Sequence, residues 1–125
     1  MSVILSSNNK LKSAKTIDLL FSKGNYLKVP GFNLVYLKQQ KENPCGLCVG
    51  FSVGKKSQAL AVDRNKTKRL MRESFRLCSG PVLNSKKTYY NLMFLCLESN
   101  PPSFSVVSDK IKSLLLSFVE TIKND

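Results

Sequence analysis

The chain has 125 residues, 42% of them hydrophobic, which suits one folded domain with a modest core and gives no reason to divide it into two. Its 20 Lys and Arg against 8 Asp and Glu give a formal charge of +12, so an anionic partner is expected, nucleic acid ahead of an anionic membrane surface. No apolar run is long enough to cross a bilayer and the first five residues lack the features of a signal peptide, so the expectation is a cytoplasmic chain with no membrane partner; the absence of His removes the commonest general base and disfavours protein-borne hydrolysis, though carboxylates could still serve.

Residues 1–125 read as a single domain, with residues 1–8 expected to be flexible and the polar stretch SSNNKLK leading in. Ser13 is placed to cap a first helix, AKTIDLLFSKG, and Gly24 to stop it. Ile17, Leu20 and Phe21 fall at i, i+3 and i+4 and form one apolar stripe, for which core packing is the simplest reading; for Phe21 a surface role stands beside it.

Pro30-Gly31 punctuates the start of a strand over Phe32–Lys38, FNLVYLK. After the turn QQKENPCG, the segment LCVGFSVG alternates, with Leu47, Val49, Phe51 and Val53 on one face and Cys48, Gly50, Ser52 and Gly54 on the other. The second face is built of small residues, which suits close approach of another backbone, a helix or a ligand. Being a short polar turn apart, these two strands are expected to pair as an antiparallel hairpin.

Further along, Thr88–Leu97, TYYNLMFLCL, is a long apolar run with aromatics and reads as a central strand. Asn100-Pro101-Pro102 ends it, and Ser105 or Ser108 is placed to cap a last helix with Ile111, Leu114, Leu115, Phe118 and Ile122 on one stripe. The order is α-β-β-α-β-α, with room for one more short strand. Of the four cysteines, Cys45 and Cys48 have metal spacing but make only half of a two-pair zinc site, and small apolar filler accounts for Cys78 and Cys96.

Between the strands lies RNKTKRLMRESFR, residues 64–76, six of whose thirteen residues are Lys or Arg. On a helical wheel Arg64, Lys68, Arg72 and Arg76 form a ridge at steps of four. Asn65 and Arg69 lie beside it, and Lys66 stands slightly apart. Thr67, Leu70, Met71, Ser74 and Cys78 fall opposite, with Phe75 at the border and Glu73 placed to pair with Arg69. A merely solvated face mixes its charges, because like charges at i, i+4 destabilise a helix. A ridge of unpaired cations instead suits a run of phosphates, which Arg can also grip with a bidentate fork.

These residues resemble the protein component of bacterial ribonuclease P. Its helix carries the pattern R-N-R-x-K-R-x-x-R-E after a strand ending S-V-x-K-K. The counterparts are Arg64-Asn65-Lys66-Thr67-Lys68-Arg69-Leu70-Met71-Arg72-Glu73 and Ser52-Val53-Gly54-Lys55-Lys56, while KLKSAKTIDLLFSKG resembles the family's opening helix. The resemblance implies an α+β fold, a single-domain α/β sandwich with a left-handed β-α-β crossover through the basic helix. It also implies the RNA-binding subunit of an endoribonuclease that removes the 5′ leader from precursor tRNA. In that family a catalytic RNA with bound magnesium performs the hydrolysis, no cofactor or metal is expected on the protein, and the partners are that RNA and leader-bearing precursor tRNA.

Carried over by position, the resemblance makes Lys55, Lys56, Arg64, Asn65, Lys66, Lys68, Arg69 and Arg72 RNA-binding residues, with Arg76 completing the ridge. It places Ile17, Phe21, Val35 and Ser52 at a cleft for the single-stranded leader, where an aromatic face can stack on bases. Lys66 stands where the family usually has Arg, which keeps the charge and loses the fork. Ile17 and Val35 stand where aromatics are common, so this cleft leans on aliphatic contact. The connection SQALAVD is one residue longer than usual with Gln58 in place of Gly, which leaves its path open, and Asp63 suits a first-turn acid or N-cap.

A ribosomal or other basic RNA-binding module is the alternative that composition and charge leave standing. A self-sufficient metal-dependent nuclease would need clustered carboxylates, and the acids here are scattered singly.

Overall fold

The computed structural model describes residues 14–38, 48–54, 57–78 and 90–123. The Ser13 cap, residues 1–8, Cys45 and the turn around it, and Lys55 and Lys56 lie outside the described residues. Pro30-Gly31 does more than punctuate: Gly31 takes φ 81°, the type II pattern that needs glycine. It folds strand β1 (Asn25–Val29) back onto β2 (Phe32–Lys38) with Val29 opposite Phe32. This is the additional strand, and it gives the order α-β-β-β-α-β-α: helix α1 (Ala14–Lys23), β1, β2, β3 (Cys48–Val53), helix α2 (Ala61–Cys78), β4 (Tyr90–Cys96) and helix α3 (Phe104–Lys123).

The expected hairpin between β2 and β3 does not form. The sheet runs β1-β2-β4-β3, and β4 lies between them, antiparallel to β2 and parallel to β3. The reason is in the apolar run itself. Leu92, Phe94 and Cys96 are buried on one face of β4, while Met93 is buried on the other with Leu95 packed beside it. A strand apolar on both faces belongs in the interior of a sheet, and β4 takes the central place expected of it. Helix α2 then carries the chain from β3 to its parallel neighbour β4, a β-α-β crossover.

One face of the sheet carries the main core. Phe32, Leu34, Tyr36, Val49, Val53, Leu92, Phe94 and Cys96 meet Met71 and Phe75 from α2, and Val107, Ile111, Leu114, Leu115 and Phe118 from α3. The stripe read for the last helix is therefore correct, and Val107 extends it by one turn. Its cap is Ser103, not Ser105 or Ser108, both of which lie inside the helix. The Ser103 hydroxyl accepts from the Val106 N–H at 3.4 Å, and its carbonyl from the Val107 N–H at 3.0 Å.

The opposite face is covered by α1, whose Leu20 packs with Val35 and Met93, flanked by Ile17, Leu37 and Leu95. Gly24 ends α1 as expected, its N–H donating to the Leu20 carbonyl at 2.8 Å. A Cβ at this position would overlap that carbonyl oxygen and sit 2.7 Å from Val35 Cγ1. Gly24→Ala should therefore cost about 1–3 kcal/mol, as overpacking does, and lower the thermal midpoint by several degrees. An unchanged midpoint would mean that α1 does not close onto β2 at this point.

Candidate nucleic-acid interface

Helix α2 begins at Ala61, two residues before Asp63, which lies in the first turn where an acid suits the helix dipole. Thr67, Met71, Ser74 and Phe75 are buried. Phe75, placed at the border by the wheel, has no exposed surface, because it packs 5.9 Å from the ring of Phe51 and 5.7 Å from that of Phe94. The helix is wrapped by both the sheet and α3.

That wrapping reshapes the cationic ridge. Each step of four residues overshoots a full turn by about 40°, so a ridge at i+4 spirals around the helix. Its outer end, Arg72 and Arg76, points to solvent with Asn65, Lys66 and Arg69, whereas Arg64 and Lys68 rotate toward the core and are half-buried. The exposed row is thus Asn65, Lys66, Arg69, Arg72 and Arg76.

Charge pairing also differs from the expectation. Glu73 bonds to Arg76 at i+3 and not to Arg69. An acid N-terminal to its base is the favoured order on a helix. Lys66, Arg69 and Arg72 therefore keep their charge for an external anion.

Arg64 is tethered. Its Nη1 donates to the Gln58 carbonyl at 2.9 Å and the Ala59 carbonyl at 2.8 Å. This settles the path of the lengthened connection: the Ser57 and Gln58 N–H groups turn back onto the Gly54 carbonyl at 3.1 and 3.0 Å, and Gln58 is buried beneath the helix. No periodicity marked Gln58 from the sequence. Its only signal was that it stood in place of a glycine.

The face beneath α1 supplies the second candidate region. Strand alternation and register put Asn33, Val35 and Leu37 of β2, Asn91, Met93 and Leu95 of β4, and Cys48, Gly50 and Ser52 of β3 on this face. Helix α1 packs over β2 and β4. On β3, Gly50 and Ser52 are small and half-buried. Ile17 is half-buried and Phe21 is 38% exposed, so both are available to a ligand. Val35 is not. It lies wholly buried under Leu20, in the floor and not the wall, because α1 is seated directly upon it. Tyr26, 44% exposed, lies close to the end of α1, its hydroxyl donating to the Phe21 carbonyl at 3.4 Å. The two regions share edge strand β3, whose Val49, Phe51 and Val53 face the main core with α2 and whose Gly50 and Ser52 lie on the opposite face of the sheet.

Cys96 is buried and Cys78 half-buried, which fits the filler reading made for these two, and Cys48 is buried as well. Burial pushes the Cys96 thiol above its ordinary value, against a hydrogen bond from the Glu98 backbone. Among the described residues no three His, Cys, Asp or Glu side chains come together to hold a metal, and no helix is long and apolar enough to cross a membrane.

A small α+β domain that turns a row of cations on a core-packed helix toward solvent belongs to the class of nucleic-acid-binding modules. The sequence model of the family described as Ribonuclease P matches residues 5–118. The chain belongs to the ribonuclease P protein family. It is 28% identical over 115 residues to the ribonuclease P protein component of Porphyromonas gingivalis, covering 90% of this chain and 84% of that one. It is 52% identical over 52 residues to that of Pseudomonas putida, a match that takes in 40% of this chain and 37% of the relative's length. Among solved structures, the RNase P protein of Staphylococcus aureus superposes with a TM-score of 0.69 at 20% identity, covering 88% of this chain and 94% of that one. That of Thermotoga maritima superposes with a TM-score of 0.68 at 23% identity, covering 85% and 94%. At these identities the structures carry the fold.

Proposed function

We propose that this chain is the RNA-binding protein subunit of a bacterial, cytoplasmic ribonuclease P, and that it assists a catalytic RNA in removing the 5′ leader from precursor tRNA. The observation that carries the reading is the exposed row Asn65, Lys66, Arg69, Arg72 and Arg76. It lies on the helix that matches the family's long motif and holds two acids, Asp63 and Glu73. Its cations meet phosphates of the RNA subunit, together with Arg64 and Lys68 and with Lys55 and Lys56, which follow β3 in sequence. Neutralising phosphate charge lets two polyanions, catalytic RNA and substrate, approach one another. Hydrolysis belongs to the RNA with its bound magnesium. The surface where α1 meets the sheet, with Ile17, Phe21 and Ser52, receives the single-stranded leader, whose bases stack without sequence preference.

The test is cleavage of precursor tRNA at low magnesium by a bacterial ribonuclease P RNA, with and without this chain. Restored cleavage at the mature 5′ end supports the reading; tight RNA binding with cleavage unchanged makes the chain a general RNA-binding module. Phe21→Ala should weaken binding of leader-bearing precursor by about tenfold, in line with about 1–3 kcal/mol per stacked base, and leave mature tRNA unaffected. Equal loss for both ligands, or an unfolded variant, would return Phe21 to a packing role.

A further inference from the structure

Gln58 is 1% exposed and polar, in a loop, and fully engaged. Its Nε2 donates to the Glu98 carbonyl, just past β4, at 3.2 Å, and its Oε1 lies 3.0 Å from the Thr67 hydroxyl of α2, sharing that single proton with the Asp63 carbonyl, also at 3.0 Å. A carbonyl only accepts, so Glu98 dictates which end of the amide faces which partner. The main chain of the same residue is equally occupied: its N–H donates to the Gly54 carbonyl at 3.0 Å, and its carbonyl accepts from Arg64 Nη1 at 2.9 Å. One residue thus ties together the end of β3, the exit of β4, the second turn of α2 and the first cation of the helix.

We propose that Gln58 is a positioning residue for RNA contact, holding the first turns of α2 and the Arg64 guanidinium in the arrangement that the RNA meets. The inference rests on the reading of α2 as the RNA surface. Helix ends fray unless held, and a turn that is loose in the free protein must be ordered at binding, which costs affinity without removing any contact. A phosphate-contacting cation behaves differently, because its loss lowers the dependence of binding on salt.

The experiment measures affinity for a bacterial ribonuclease P RNA across a salt series, at a temperature where circular dichroism shows each variant folded. Gln58→Ala is expected to bind about tenfold more weakly, the scale of one or two lost buried hydrogen bonds, with its salt slope unchanged. Thr67→Val, isosteric and without the hydroxyl, should do the same. The double variant should be no worse than Gln58→Ala alone, since that change already removes the bond to Thr67, and Thr67→Ser should bind as the parent does. If Gln58→Ala fails to fold, the Thr67 pair carries the test. Parental affinity in the folded variants overturns the proposal and leaves Gln58 a packing residue; so does a lowered salt slope, which would mean a cation had left the interface. Arg69→Ala runs alongside as control. If it changes neither affinity nor slope, the RNA reading of α2 fails, and the positioning role fails with it.

Discussion

Arg69→Ala lowers the affinity for a ribonuclease P RNA and flattens its salt dependence by about one unit of slope, and Arg69→Ala with Arg72→Ala by about two; these are the expected results. Both side chains are exposed, and neither has an ion pair among the described residues, since Glu73 is taken by Arg76. One unit of slope means that affinity falls about fourfold less between 50 and 200 mM salt. Stability should move by no more than about 0.5 kcal/mol, as is usual for surface positions. Arg69→Lys separates charge from geometry, because it keeps the slope and loses only what a bidentate fork contributes. An unchanged slope in the double variant would show that this face does not meet phosphate and would remove the main support for the proposed function.

The largest effect on stability is expected from Phe75→Ala. Phe75 is fully buried, its ring 5.9 Å from that of Phe51 and 5.7 Å from that of Phe94. It pins the cationic helix to the sheet from which its charges are presented. Truncating a buried Phe costs about 3–5 kcal/mol, a large share of the roughly 5–15 kcal/mol that holds a domain of this kind together. Urea unfolding measures this directly. A loss below about 1 kcal/mol would mean that α2 does not seat against Phe51 and Phe94. Arg69→Ala and Phe75→Ala thus probe opposite sides of one helix, the first through binding with the fold intact, the second through the fold itself.

The amphipathic character of α2, its motif and the apolar stripe of α3 were legible from residue spacing alone, because a helix repeats its faces every 3.6 residues wherever it sits. The apolar run of β4 likewise announced an interior strand. Strand partners were not legible. Adjacency in sequence suggested pairing β2 with β3, but β4, distant along the chain, buries apolar side chains on both faces and takes the place between them.

In the site the division has the same cause. Charge and motif identified which residues of α2 could meet phosphate, since those properties belong to the residues themselves. Only the packing of α2 against both the sheet and α3 decided that Arg64 and Lys68 turn inward while Lys66, Arg69 and Arg72 stay exposed. Seating α1 on the sheet likewise made Val35 a buried floor and left Phe21 at the surface. Burial and partnership are relations between distant segments. They brought Gln58, Thr67 and Glu98 into one hydrogen-bonded link that no spacing along the chain encodes.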